Sequence, residues 1–106
     1  METIWVYVTT KDEAEAKAIA GAVVRERLAA CANIPGAIES IYWWQGKVCE
    51  GREAALILKT SAERKAELIE RILELHSYSC PCVVCLPIVD GNREFLNWIA
   101  AETGHY

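Results

Sequence analysis

The apolar run Ile4-Trp5-Val6-Tyr7-Val8-Thr9 is β-branched and aromatic, as expected of a strand. The pattern then turns helical. Ala16, Ile19, Ala20, Val23, Val24 and Leu28 share one face, with Glu13, Glu15, Lys17, Arg25 and Glu26 among the polar positions. Thr10-Lys11-Asp12-Glu13, between the two, has the Thr-x-x-Glu form of a capping box. The plan recurs in the second half. Glu53–Lys59 reads as a strand, Thr60-Ser61-Ala62-Glu63 as another box, and Leu68, Ile69, Ile72 and Leu75 as an apolar stripe. Glu67 and Arg71 are spaced for a supporting ion pair.

Ile34-Pro35-Gly36 separates the halves and is followed by an extended run from Ala37 to Cys49. Gln45-Gly46 inside that run predicts a bulge or bend, because glycine weakens a strand interior. Glu50-Gly51-Arg52 predicts the tight return that pairs the run with Ala54–Leu58. Val83–Val89 is continuously apolar and predicts a buried strand. Asp90-Gly91-Asn92 breaks it and offers an N-cap to a short final helix carrying Phe95, Trp98 and Ile99. The order β-α-β-β-α-β-α with right-handed crossovers gives an α+β, ferredoxin-like sandwich: four antiparallel strands, two helices on one face and a short C-terminal helix. The other face is left bare and requires a partner.

The totals narrow the function. The 106 residues allow one domain, 1–106, and 53% hydrophobic residues leave apolar surface for a subunit contact. A net charge of −4 disfavours nucleic acid, which needs a basic face. Met1–Thr3 leads straight into the first strand, with no exported or membrane-spanning pattern, so no membrane partner and a cytoplasmic location are expected. The five cysteines (Cys31, Cys49, Cys80, Cys82, Cys85) are accordingly read as free thiols or metal ligands.

Three features invite chemistry. Tyr42-Trp43-Trp44 lies on a strand, so its rings point to both faces and cannot all be core; these rings are assigned to a subunit interface. Cys80 and Cys82 face one way along an extended chain and Cys85 the other, so Cys80 and Cys82 could hold a soft ion such as Cu(I). The alternative is that these thiols are small buried apolar groups. His76 closes the second helix, where it caps carbonyls or serves as the nitrogen partner of Cys80 and Cys82. Lys59, at a strand end, could reach an anion. Ser40, Ser61, Ser77 and Ser79 lie in no nucleophile elbow, and His76 and His105 build no triad, so no enzyme is expected.

Taken together, Val6–Thr10, Glu26–Gly36, Ser40–Lys47, Leu58–Thr60, His76–Tyr78 and Leu86–Ile88 resemble the CutA divalent-cation-tolerance proteins, in order from Ile4 to Thr103. The resemblance implies a ferredoxin-like homotrimer, similar in architecture to the PII signalling proteins, with inward-facing sheets. It further implies binding of copper or another divalent metal in metal homeostasis, or alternatively a signalling or scaffold trimer that binds a small ligand or partner protein. His76 occupies the place of the family's His-Pro-Tyr histidine. Val8 stands where some members carry a ligand cysteine, Cys82 replaces a carboxylate, and Cys80 adds a thiol.

Overall fold

The structure, a computed structural model, describes residues 2–104; Met1, Tyr106 and the His105 set aside above lie outside it. Its elements are β1 (Thr3–Thr10), α1 (Glu13–Arg25), β2 (Cys31–Trp44), β3 (Lys47–Ser61), a 3-10 turn (Ala62–Arg64), α2 (Lys65–Leu75), β4 (Val83–Ile88) and α3 (Arg93–Glu102). The four strands form one antiparallel sheet in the order β2-β3-β1-β4. The predicted α+β sandwich is therefore present.

Alternation along the strands sorts the two faces. Ile4, Val6 and Val8 of β1 and Leu56 and Leu58 of β3 are buried against Ala16, Ile19 and Val23 of α1 and Leu68 and Ile72 of α2. Trp5, between two buried neighbours, is 39% exposed on the opposite face, where α3 covers only the end at Thr3 and Ser61, Thr103 donating its hydroxyl to Ser61 at 3.0 Å. β4 differs from its prediction. It pairs with β1 alone and is an edge strand, with Val84 and Leu86 about half exposed, because its run of apolar residues serves both faces while only one is packed. Pro87 is tolerated there since an outer edge needs no donor on its free side.

The hairpin also departs from the sequence reading. β2 and β3 turn at Gln45-Gly46, with φ of 50° and 77°, and Trp44 pairs with Lys47. Positive φ at both central residues is the type I′ geometry that matches strand twist, and Gly at the second position permits it. Glu50, Gly51 and Arg52 instead run straight through β3, opposite Ile41, Ser40 and Glu39. The one irregularity in this ladder lies between Asn33 and Gly36, where an extra residue makes a bulge at Pro35, which has no N–H to donate.

The helix starts follow the sequence in part. Asp12, not Thr10, caps α1: its carboxylate accepts from Glu15 N–H at 2.8 Å, while Glu15 accepts from Lys11 N–H at 3.1 Å. The second predicted box does not form, because Thr60 belongs to β3 and donates its hydroxyl to the Leu28 carbonyl at 2.7 Å. Asn92 caps α3 as predicted, accepting from Glu94 N–H. Arg71 pairs with Glu26 across the helices rather than with Glu67, which meets Arg64. Arg64 also donates to the Thr103 carbonyl and so anchors the end of α3.

Candidate functional site

The β2–β3 hairpin and the segment after α2 enclose a cleft of about 290 Å³, lined by Thr9, Tyr42, Trp44, Glu53, Tyr78, Ser79 and Cys80. The strand register explains why these residues meet. Tyr42, Trp44 and Glu53 share the open face of the hairpin with Thr9, since Gly36 is opposite Ala55 and Ala55 is opposite Thr9. Trp43 points the other way and is 73% exposed. None of the three rings assigned to an interface is core; all three are exposed in the single chain.

His76 sets the position of the opposing wall. It is buried, its Nε2–H donates to the Thr9 carbonyl at 2.7 Å, and its Nδ1 accepts from Tyr78 N–H at 3.1 Å. A carbonyl can only accept, so these partners define the neutral Nε2–H tautomer. The imidazole thereby ties the end of β1 to the loop after α2. Its ring lies 4.8 Å from that of Tyr78. Glu15 secures the same loop by accepting from Ser77 N–H at 3.0 Å. Burial raises the Glu15 pKa, but the hydrogen bonds from Ser77 and Lys11 outweigh it and the net shift is downward.

Tyr78 turns into the cleft and donates its hydroxyl to Glu53 Oε2 at 2.9 Å. Burial, followed by that bond and the negative charge of Glu53, pushes the phenol well above the ordinary tyrosine range, so it stays a donor. Glu53 was not singled out in the sequence. The signal for it is a carboxylate opening an otherwise apolar strand, Glu53-Ala54-Ala55-Leu56-Ile57-Leu58.

The thiols divide. Cys80 is exposed and lines the cleft, whereas Cys82 is half-buried and does not line it. Cys85 packs against the core, and burial raises its pKa against the opposing charge of Lys65. Burial likewise raises Cys31, with Lys59 opposing. Among the described residues, no three His, Cys, Asp or Glu side chains form a group that could hold a metal ion. His76, Cys80 and Cys82 are thus not assembled into a three-ligand site, and both His76 nitrogens are already engaged. Lys59 donates to Asn33 Oδ1 at 2.8 Å and lies about 6 Å from the rings of Trp5 and Phe95, so its surroundings are aromatic rather than anionic.

A ferredoxin-like sandwich with a long aromatic hairpin and a sheet face left open beyond α3 defines the class of this protein. Residues 4–102 match the CutA1 divalent ion tolerance protein family, and the chain belongs to it. The divalent-cation tolerance protein CutA of Thermus thermophilus is 48% identical over 99 residues, covering 93% of this chain and 96% of that protein. The solved structure of CutA1 from Oryza sativa covers 100% of this chain and 97% of its own, at 40% identity and a TM-score of 0.95. The Archaeoglobus fulgidus structure, described as a periplasmic divalent cation tolerance protein, covers 96% and 99% at 38% identity and a TM-score of 0.93.

The relatives overturn the cytoplasmic expectation. The Archaeoglobus structure is described as periplasmic, and CutA proteins of rice and Arabidopsis are chloroplastic. Free thiols and mild acidity are compatible with several compartments, so neither could fix one. Among the described residues, no helix is long and apolar enough to cross a membrane.

Proposed function

We propose that this one-domain protein acts in tolerance to divalent cations, without enzymatic activity, as a homotrimer. The observation that carries the assembly is the sheet face left open beyond α3, continued by a hairpin whose Ile41, Trp43 and Val48 are 72%, 73% and 56% exposed. Surface of that character is used in contacts between chains. Tyr42, Trp43 and Trp44 are the proposed interface rings.

Copper is the proposed metal, and Cys80 and Cys82 are the proposed donors, since soft thiolates favour Cu(I). His76 joins them only by surrendering one of its two hydrogen bonds. Titration with Cu(I) of the wild type, Cys82→Ser and His76→Ala tests this; affinity unchanged in both variants removes these residues from metal binding. Elemental analysis of untagged protein identifies the metal carried. The second reading, a signalling or scaffold trimer that takes a small ligand, is supported by the Tyr42–Trp44–Tyr78 cleft.

A further inference from the structure

The sheet face turned away from α1 and α2 is nearly free of charge. Opposed residues of neighbouring strands share a face, so the register puts Trp5, Tyr7 and Thr9 of β1 there, with the odd-numbered residues of β3 and their partners in β2. Among the described residues of the strands, three charged side chains lie on it: Lys47 beside the turn, Glu53 and Lys59. Lys47 is exposed, whereas Glu53 and Lys59 are already half-buried. Neither Glu53 nor Lys59 enters an ion pair among the described residues. They cannot pair with each other inside one chain, since six steps along β3 place them about 20 Å apart.

Both groups are nevertheless held in place. Tyr78 Oη donates to one carboxylate oxygen of Glu53, Oε2, at 2.9 Å. A lysine ammonium has three donors, and Lys59 directs one of them to Asn33 Oδ1 at 2.8 Å, with the rings of Trp5 and Phe95 about 6 Å away. A second copy covering this face removes water from both charges, which is strongly unfavourable unless each meets an opposite one. The second copy carries that opposite charge on the same strand. We propose that, where the open faces of two copies meet, Lys59 of one copy pairs with the partner's Glu53. This deepens the assembly reading above and rests on it. Each copy offers one charge of each sign at a fixed spacing, so every contact of a symmetric assembly is made alike. A slip of two residues along β3 moves the charges about 7 Å and breaks the pair. The pair thus sets the register, while the apolar surface around it supplies the attraction.

A double-mutant cycle on the whole protein tests the pair: Lys59→Met, Glu53→Gln and both together, with dissociation on dilution followed by sedimentation. Glu53→Gln keeps an acceptor for Tyr78, and Lys59→Met keeps most of the apolar stem. Each single substitution is expected to raise the concentration of half-dissociation about tenfold or more, and the double variant is expected to be about as weak as the weaker single one. Should Lys59→Met fail to fold, the charge swap decides: Lys59→Glu combined with Glu53→Lys is expected to assemble at least about tenfold more tightly than either reversal alone. A monomeric wild type overturns the assembly reading and the pair with it. An assembled wild type in which the single effects simply add, or in which the swap recovers nothing, overturns the pair alone and leaves the assembly standing.

Discussion

Two glycines in one strand pair, Gly46 and Gly51, separate the observed hairpin from the one its sequence suggests. Replacing each by alanine tests the turn directly. Neither added Cβ meets an atom within 4 Å, so packing drops out and backbone conformation alone decides the effect. Gly46 has φ of +77°, where an L side chain costs about 1–2 kcal/mol. Gly51 sits in extended β3 opposite Ser40, where alanine is unstrained. Both substitutions reduce the freedom of the unfolded chain by the same amount, about 0.4–1 kcal/mol, and that contribution cancels between them. Gly51→Ala should therefore be more stable than Gly46→Ala by about 1–2 kcal/mol, several degrees in Tm for a chain this long. Gln45→Asn should add a few tenths, because asparagine tolerates the left-handed region better. Urea unfolding at a fixed protein concentration measures the gap. Amide exchange across residues 42–49 reads it locally, since a hairpin tip can open without global unfolding. Gly51→Ala as damaging as Gly46→Ala would refute the turn at Gln45-Gly46.

Thr60→Val should cost about 1–3 kcal/mol, because it strips the buried Leu28 carbonyl of the hydroxyl that bonds it at 2.7 Å; an unchanged urea midpoint contradicts this. Alkaline pH should destabilise the fold through Tyr78. Its pKa is raised in the native state, so the unfolded chain releases the proton first and stability falls as pH climbs above about 10. Midpoints measured from about pH 9 to 11 should flatten in Tyr78→Phe, and an identical slope there rules the residue out. Replacing Trp43 and Trp44 together by alanine should dissociate or destabilise the oligomer by about 3–5 kcal/mol per ring if both are buried in it. Sedimentation that finds an intact assembly of normal stability removes them from the interface.

Element types were legible because hydrophobic period and end signals agreed. Ile4–Thr9 lies in a strand and Asn92 caps α3, each as the sequence indicates. Misreadings arose where one signal had two structural uses. Thr60 looked like a cap, yet its hydroxyl is drawn to a carbonyl 32 residues away, a partner that no local pattern encodes. Gly46 and Gly51 look alike in sequence, and only the strand register makes one a turn. His76 lies at the end of α2 as the sequence indicates, but its bond to Thr9 comes from the loop after α2 meeting β1, 67 residues away. The cleft was invisible for the same reason: Tyr42, Glu53 and Tyr78 converge through pairing rather than proximity in the chain.

Correcting the turn also changes why this chain should associate. A hairpin returning at Glu50–Arg52 would run little beyond the helices. With the turn at Gln45-Gly46, β2 and β3 have 14 and 15 residues, while α1 and α2 have 13 and 11. At about 3.3 Å per strand residue and 1.5 Å per helical residue, β3 would reach nearly 50 Å if straight, less with its twist, and α1 only about 20 Å. The longest dimension of the molecule, 44 Å against 25 and 22 Å, reflects this excess. The helices are too short to cover such strands, and on the outer half of the hairpin the segment Tyr78-Ser79-Cys80 approaches one face alone. The residues of that outer half include Ile41, Tyr42, Trp43, Trp44 and Val48, too apolar to be left in water without cost. The proposed association is thus supported by element lengths as well as by the open part of the sheet face, most of all at the aromatic tip.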